Sequence, residues 1–216
     1  MRYHSNEYGS AFLTHQFGGI VVDTGDVLVK QCNNTDYQRR VARRVAKVAK
    51  RTQFVVALGG DDSVSYGVAR GLAKHYGPIG ILHYDAHTDL YGSHKEPVDH
   101  SNWVLHLAAK GYPIHQRMCR AGGPHEPYTD NLNGYPLLIV VDMDVFDPAY
   151  SPGVACPVPF GPTSHEVLSD IRERTTARDV VGVCVTEVVP DRDTNAQTAL
   201  LANALIHRVL AQRFPV

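Results

Sequence analysis

The sequence is poor in cysteine, carries almost no net charge and contains no long apolar run. Its four cysteines are scattered and form no CxxC pair, which indicates free thiols in a reducing compartment. A formal net charge of −1 over 216 residues gives no support for binding to nucleic acid or to an anionic membrane. The first residues, MRYHSNEYGS, lack the apolar core of a signal peptide, and no apolar run approaches the roughly 18 residues that a membrane span needs. We therefore expect a cytoplasmic protein with no nucleic-acid partner and no membrane partner.

Short apolar runs alternate with helical patterns along the whole chain. A chain with 44% hydrophobic and 20% charged residues is typical of a globular protein, and its length fits a single domain, 1–216. The predicted strands are Gly19–Val22, Phe54–Leu58, Ile79–Tyr84, Leu137–Val141 and Val180–Val185. The predicted helices are Asp36–Arg51, Val64–Tyr76, Asn102–Lys110, Ser164–Thr175 and Asn195–Arg213. This alternation predicts an α/β fold with a mainly parallel β-sheet flanked by helices, and sites in such sheets lie at the carboxyl ends of the strands.

A run of basic residues between Arg39 and Lys50 falls within the first predicted helix. Val41, Val45 and Val48 form an apolar stripe at helical spacing on the same segment. The basic residues could form a nucleic-acid patch or the solvated face of an amphipathic helix. The overall charge is near zero, which favours the solvated face.

The first of two carboxylate-rich segments is HYDAHTDL, residues 83–90, at the end of a predicted strand. Asp85, His87 and Asp89 are spaced two residues apart, so in an extended chain they point to the same side. Two carboxylates and an imidazole therefore converge at one strand end.

The second segment is VVDMDVFDP, residues 140–148, in which Asp142 and Asp144 directly follow an apolar strand. Unpaired carboxylates at the end of a buried strand repel one another and are costly to desolvate. A salt-bridge network could offset them, yet the nearest basic residues in sequence are Lys95 and Arg192. A pair of hard divalent cations suits four carboxylates and one or two imidazoles, and we favour it. Two ions about 3.5–4 Å apart lower the pKa of a bridging water, which implies hydrolysis.

Five segments of the chain resemble the ureohydrolases, the family of arginase and agmatinase, with agmatinase the closer. They are VVDTGDV (21–27), GGDDS (59–63), YDAHTDLY (84–91), VDMDVFDPAYSPG (141–153) and TEVVPDRDTNAQTA (186–199), in the family's order. The resemblance covers nearly the whole chain, and DAHTD together with DxDxxDP is highly specific. It implies an arginase-like three-layer α/β/α fold, two divalent metal ions with Mn²⁺ the expected one, a small guanidino substrate and a homo-oligomer.

The resemblance also implies a role for each site residue. The metal ligands would be Asp85 and Asp142 bridging both ions, Asp62 and Asp89 on one ion, and His87 and Asp144 on the other. His100 would be the proton shuttle to the leaving amine, although without the family it is only a histidine in a loop. Glu187 would face the guanidinium, since a planar cation suits a carboxylate through two parallel hydrogen bonds.

The sequence departs from the family pattern at three places. Asp62 stands where the family usually has histidine, so five carboxylates would outweigh the charge of two cations and make the metals poorer Lewis acids. Alternatively, the Asp62 side chain does not reach the metal, and that metal site is weak or empty. We favour a metal site that is occupied but altered.

The part before VVDTGDV and the stretch 120–137 look abbreviated compared with the family. We therefore expect a fold reduced at the N-terminus and a substrate cleft that is more open or is completed by a partner subunit. Ser101 stands where the family has a glycine after the histidine. Cys156 stands where the family has a small polar residue near the active site, and we interpret it as a small residue packed inside the protein.

These observations predict a binuclear-metal hydrolase that cleaves a guanidino or amidino C–N bond and releases urea and an amine, as agmatinase does. One alternative keeps the metals but takes the guanidino group of a larger biosynthetic intermediate or a peptide. Another is a non-catalytic relative that binds metal or ligand as a structural or regulatory subunit. Retention of the metal-ligand pattern together with His100 and Glu187 argues against the non-catalytic alternative.

Overall fold

The computed structural model describes residues 21–28, 34–123 and 125–215, in which five strands alternate with five α-helices. The strands are β1 (Val55–Leu58), β2 (Gly80–Tyr84), β3 (Ile114–Arg117), β4 (Leu137–Asp142) and β5 (Val180–Thr186). The helices are α1 (Asn34–Ala49), α2 (Val64–Tyr76), α3 (Trp103–Ala108), α4 (Ser164–Thr175) and α5 (Gln197–Arg213). Single 3₁₀ turns occupy Met143–Val145, Pro190–Arg192 and Thr194–Ala196.

The strands form one parallel sheet in the order β1-β5-β4-β2-β3. Every residue of β2, β4 and β5 is buried, and their near-continuous apolar runs are what a parallel sheet covered on both faces requires. At the end of β4, Val141 pairs with Tyr84 and Asp142 pairs with Thr186. The parallel register therefore gathers the loops that follow these strands at one edge of the sheet.

Helices cover both faces of the sheet. Ile139 and Val141 of β4 belong to the core beneath α4 and α5, whereas Leu138 and Val140 belong to the core beneath α1, α2 and α3. This alternation produces three layers, α/β/α. The predicted α/β class with a parallel sheet between helices is therefore confirmed.

Helix α1 packs closely on α2 with its apolar stripe inward. Val41 and Val45 are buried, while Arg39 and Arg43 are exposed, as expected of the solvated face of an amphipathic helix. A Cβ at Gly71 would lie 2.6 Å from the Cβ of Val45, so the two helices can approach this closely only because α2 has glycine there.

Most predicted elements are present with small shifts at their ends. The helices Val64–Tyr76 and Ser164–Thr175 have the predicted bounds, and the second begins with a capping box between Thr163 and Glu166. For each of the other predicted helices and strands that the structure contains, the predicted and observed ends differ by about two residues or fewer. None of the helices in the described ranges is both long and apolar enough to cross a bilayer.

The strand predictions failed at two places. Residues 21–22, predicted to end the strand Gly19–Val22, lie in exposed irregular chain, and among the described residues no strand pairs with them; residues 19–20 lie outside the described part. Strand β3 was not predicted because its sequence, IHQR, has one apolar residue, Ile114. β3 is the last strand of the sheet, with β2 on one side and a single antiparallel bridge between His115 and Thr129 on the other, so it needs less apolar surface than a central strand does.

Candidate metal centre

Five aspartates converge at the carboxyl ends of three strands. Asp62 follows β1, Asp85 and Asp89 follow β2, Asp142 ends β4, and Asp144 lies in the 3₁₀ turn after it. None of these residues is more than 5% exposed. The parallel sheet thus brings together the two carboxylate-rich segments and the GGDDS turn.

Two groups of side chains offer ligand atoms close enough to hold a cation. The Asp89 group consists of Asp62, His83, Asp85 and Asp89, and the Asp144 group consists of Asp85, His87 and Asp144. Within each group the ligand atoms lie within 4.8 Å of one another. Asp85 belongs to both groups, which is the arrangement expected of a residue that bridges two ions.

Asp142, the other expected bridge, lies outside both groups. Its Oδ1 accepts a 2.8 Å hydrogen bond from the backbone N–H of Asp144. Burial, followed by the nearby charges of Asp85 and Asp144, raises the pKa of Asp142 well above its usual value. Asp142 therefore belongs to the electrostatic cluster, and its role as a bridging ligand stays a prediction.

In the Asp144 group one imidazole faces two carboxylates. His87 Nδ1 lies 2.9 Å from Asp144 Oδ2 and 3.4 Å from Asp85 Oδ1. The backbone N–H of Ala86 donates to Asp144 Oδ1 at 3.2 Å, and that of His87 donates to Asp85 Oδ1 at 2.6 Å. The His87 side chain is 25% exposed, so solvent reaches this group.

The guanidinium of Arg120 holds the turn that carries Asp144. It donates to four main-chain carbonyls at 2.7–3.3 Å, those of Asp144, Val145, Phe146 and Val158. The backbone N–H of Arg120 also donates to the carbonyl of Ala86 at 2.8 Å. One residue therefore connects the loops after β2, β3 and β4 next to the Asp144 group, through its backbone and its side chain.

In the Asp89 group the carboxylates accept hydrogen bonds from neutral donors. The indole N–H of Trp103 lies 2.8 Å from Asp62 Oδ2 and 2.6 Å from Asp89 Oδ2. The hydroxyl groups of Ser65 and Thr186 donate to Asp62 Oδ1, each at 2.7 Å. Both oxygens of Asp62 are thus already hydrogen-bonded within the protein.

His83 is a member of the cluster that the sequence analysis did not single out. Its side chain is fully buried on β2, and its Nε2 lies 3.1 Å from Asp85 Oδ2 and 3.5 Å from Asp62 Oδ2. A signal was present, because this histidine interrupts the otherwise apolar start of β2, GILHY, and a buried polar group needs a partner.

The buried carboxylates hold far more negative charge than their surroundings offset. Burial, and after it the charge of Asp85, raises the pKa of Asp89 well above its usual value. Burial also raises the pKa of Asp144, to about 6, although the hydrogen bond with His87 opposes the rise. The hydrogen bond with Asp144, and after it the one with Asp85, raises the pKa of His87 to about 10. Without a cation, the cluster can reduce its charge only by taking up protons.

The residues present fit a pair of divalent cations. Among the described residues these carboxylates form ion pairs with His83 and His87 but with no lysine or arginine, so the alternative of a salt-bridge network to Lys or Arg is wrong. Asp85 Oδ2 is buried and makes no hydrogen bond, although His83 Nε2 lies 3.1 Å away. A set dominated by carboxylate oxygens with imidazole beside it suits hard divalent ions.

Glu187 and His100, the two expected catalytic residues, lie beside the cluster and outside both groups. Glu187 is half-buried after β5, and its Oε1 accepts the backbone N–H of Asp62 at 2.8 Å. Burial raises the pKa of Glu187 to about 7, against the opposing effect of the hydrogen bond from Asp62. His100 is exposed in the loop before α3, close enough for its charge to act on Glu187.

One cysteine predicted to be packed is exposed, and another cysteine lies beside the site. Cys156, interpreted as a packed residue, is exposed, because its loop runs over the surface; that interpretation was wrong. Cys119 instead lies next to the Asp144 group, where its thiol donates to the carbonyl of His87 at 3.1 Å. Burial raises the pKa of the Cys119 thiol to about 12, so it is held as a neutral thiol.

The chain is similar in sequence to known proteins. The model of the arginase family matches residues 1–125 and 124–211. The chain is 29% identical over 225 residues to the mitochondrial guanidino acid hydrolase of Homo sapiens, covering 88% of this chain and 64% of that protein. It is 28% identical over 213 residues to an agmatinase of Bacillus subtilis, covering 87% of this chain and 73% of that protein.

Solved structures show the same fold. The proclavaminate amidino hydrolase from Streptomyces clavuligerus superposes with a TM-score of 0.80 at 23% identity, over 89% of this chain and 75% of that chain. The arginase from Bacillus subtilis superposes with a TM-score of 0.77 at 24% identity, over 93% of this chain and 88% of that chain. Because the family model spans most of the sequence and the fold agrees, the chain belongs to the arginase family.

Proposed function

We propose that the protein is a metal-dependent hydrolase that cleaves a guanidino C–N bond and releases urea and an amine, in the manner of an agmatinase. The observation that carries the proposal is the pair of overlapping donor groups that share Asp85 at the carboxyl ends of the sheet. Membership of the arginase family supports the reaction class. The similarity to a guanidino acid hydrolase and to an agmatinase supports a guanidino substrate.

The metal ions would be two divalent cations, with Mn²⁺ the expected one. Asp85 would be shared between them, Asp89 and Asp62 would lie on one side, and His87 and Asp144 on the other. When bound, such a pair lowers the pKa of a shared water and supplies the nucleophile for hydrolysis. Hydrogen bonds from Trp103, Ala86 and Arg120 hold the buried carboxylates and the turn that carries Asp144 in position.

Glu187 and His100 would act on the substrate. An ionised Glu187 beside the cluster would orient a guanidinium through charge-assisted hydrogen bonds to its N–H groups. His100 is exposed and can exchange protons with solvent, so it would deliver a proton to the departing amine nitrogen. The 2.8 Å hydrogen bond from the backbone N–H of Asp62 to Glu187 supports this proposal, because it joins the residue proposed to bind the guanidinium to a residue proposed to bind metal.

Urea release tests the proposal. Protein loaded with Mn²⁺ should release urea from at least one compound in a panel of agmatine, 4-guanidinobutyrate, arginine and bulkier guanidino compounds. Asp144→Asn should abolish release, because it removes a carboxylate from one donor group. Glu173→Gln is the matched control, since it removes an exposed carboxylate on α4, and it should leave the rate unchanged.

The substrate panel also separates the alternatives. Urea from small free guanidines supports an agmatinase-like enzyme, whereas urea from bulky compounds alone supports a larger guanidino substrate. Bound Mn²⁺ without urea from any compound would favour a non-catalytic relative. The expected homo-oligomer and cytoplasmic location stay predictions, which light scattering and cell fractionation would test.

A further inference from the structure

Trp103 is the only tryptophan in the chain, and its indole is fully buried at the start of α3. Its single N–H lies within hydrogen-bonding distance of Oδ2 of both Asp62 and Asp89. Two carboxylate oxygens that accept the same hydrogen are held close together, and the N–H reduces their mutual repulsion. An indole N–H is only a donor, so Trp103 organises these carboxylates without being a metal ligand itself.

The indole is itself held in place from two sides. Two residues beyond it, the backbone N–H of Leu105 donates to the carbonyl of Asp89 at 3.4 Å, which ties α3 to the Asp89 main chain. Asp89 has a φ of 51°, a left-handed conformation that a non-glycine residue seldom adopts. The Trp103 ring also packs edge-on against His83, with 4.9 Å between ring centroids. A shift of the indole would therefore move both Asp89 and His83.

His83 lies against a different pair of carboxylates, with its Nε2 3.1 Å from Asp85 Oδ2 and 3.5 Å from Asp62 Oδ2. The amide of Gln116 is oriented by two main-chain bonds, donating to Thr88 at 2.8 Å and accepting from Tyr128 at 3.1 Å. Its amide nitrogen also lies 3.1 Å from His83 Nδ1. Because an amide nitrogen only donates, His83 Nδ1 must accept, and Nε2 carries the hydrogen that faces Asp85. Neither ring nitrogen of His83 then offers a lone pair to a cation, so carboxylates alone remain as metal ligands in the Asp89 group.

The Asp144 group is organised differently. Its carboxylates accept the main-chain N–H groups of Ala86 and His87, and Trp103 donates to neither Asp85 nor Asp144. The two groups share one ligand but have separate hydrogen-bonding partners. A change at the indole should therefore affect one group and spare the other.

We propose that Trp103 is a positioning residue for one metal ion, the ion held by the Asp89 group, and that the second ion does not depend on it. The inference rests on the proposed function, which supplies the two ions. Loss of the indole N–H should weaken binding of the first ion about 10–100-fold, the usual effect of removing a partner of a metal ligand. Binding of the ion in the Asp144 group should be unchanged.

Mn²⁺ binding to Trp103→Phe tests the proposal. Phenylalanine keeps an aromatic ring in the core and removes the N–H. Metal-free wild type and variant are titrated with Mn²⁺, and the EPR signal of free Mn²⁺ gives the number of bound ions and their Kd values. Wild type should bind two ions, and the variant should bind one with unchanged Kd and the other about 10–100-fold more weakly. Tyr84→Phe is the matched control, because Tyr84 is equally buried and its hydroxyl donates to Asp170, outside both groups.

The outcomes distinguish this inference from the proposed function. Unchanged Kd values for both ions in Trp103→Phe, or equal weakening of both, would overturn the positioning role. If wild type binds no Mn²⁺, both proposals fail. If wild type binds two ions and releases no urea, the proposed function fails. The role of Trp103 is then still decided by whether Trp103→Phe weakens the binding of only one of the two Mn²⁺ ions.

Wild-type fluorescence gives a second test that needs no change at Trp103. Mn²⁺ is paramagnetic and quenches a nearby indole, and the indole emission comes from this residue alone because it is the single tryptophan of the sequence. Asp89→Asn should reduce the quenching amplitude at saturating Mn²⁺ more than Asp144→Asn does. The reverse order would overturn the proposal.

Discussion

The backbone N–H of Asp62 donates a 2.8 Å hydrogen bond to Oε1 of Glu187, and the backbone N–H of Glu187 donates to the carbonyl of Gly60 at 2.9 Å. These bonds join the turn after β1 to the turn after β5. Glu187 has a φ of 64°, a left-handed conformation that is costly for a residue with a side chain. The strained turn holds a half-buried carboxylate directly beside the Asp89 group, which is the position proposed for recognition of a cationic substrate.

Glu187→Gln should raise the KM for a guanidino substrate about 10–100-fold with a smaller effect on kcat. Glutamine keeps an acceptor for the Asp62 N–H but loses the charge that strengthens hydrogen bonds to guanidinium, a loss of about 1.5–3 kcal/mol. Because burial raises the pKa of Glu187 to about 7, wild-type kcat/KM should fall as the pH drops below about 7 and the carboxyl takes up a proton. The variant should lack this pH dependence. An unchanged KM would show that another group binds the guanidinium.

His100→Asn should lower kcat about 10²–10⁴-fold, the usual contribution of a general acid or base, and leave the KM nearly unchanged. Steady-state kinetics on the best substrate of the panel measures both constants. His94→Asn is the matched control, since His94 is also an exposed histidine of the loop before α3. Equal kcat values for the two variants would remove His100 from the mechanism.

Asp62→His, which introduces the residue usual in the family, should destabilise this protein rather than restore a better metal site. Asp62 accepts hydrogen bonds from Trp103, Ser65 and Thr186, and an imidazole cannot accept all three. Each buried donor left without an acceptor costs about 1–3 kcal/mol. Thermal unfolding should show a lower Tm than for Asp61→His at the exposed neighbouring position. Tighter Mn²⁺ binding with an unchanged Tm would contradict this expectation.

Asp170→Asn should weaken the fold at neutral pH. The Asp170 carboxylate accepts hydrogen bonds from Arg117 at 2.7 Å and Tyr84 at 2.8 Å. Burial alone would raise its pKa, but these two hydrogen bonds hold the pKa below its usual value. A lowered folded-state pKa means that the stabilisation is fully present above the unfolded value of about 4 and is lost as the pH falls through the folded value.

Urea unfolding at several pH values measures this effect. The variant should lose about 1.5–3 kcal/mol of unfolding free energy at pH 7 and progressively less as the pH falls below about 4. Asp179→Asn is the control, because its side chain is 58% exposed and its ion pair with Arg213 contributes little. A loss that does not change with pH would point to packing rather than charge.

The sequence allowed the α/β class, nine of the ten regular elements and both carboxylate segments to be predicted, because long apolar periodicities and paired acidic motifs are local signals. Strand β3 escaped prediction because its stability comes from pairing with β2 rather than from its own pattern. Family membership and the overall fold, both inferred from motifs, are confirmed.

The hydrogen-bonding partners of the site depend on residues distant in sequence and could not be predicted. Trp103 meets Asp62 across 41 residues, and Gln116 meets His83 across 33 residues. No spacing rule relates such positions, since they become neighbours only after the sheet and α3 have formed. The same reason explains why His83, inside a strand, attracted less attention than the aspartates that follow it.

The order of the strands also has a consequence for how the chain is made. Strand β1 pairs with β5, so the turn carrying Asp62 reaches Glu187 across 125 residues. During synthesis on the ribosome, most of the chain after β1 must be made before β5, its neighbour in the sheet, emerges. A nascent chain halted before residue 180 would carry every side chain of both donor groups but would lack β5 and Glu187, so β1 and the turn that carries Asp62 would be without the neighbours that hold them in place.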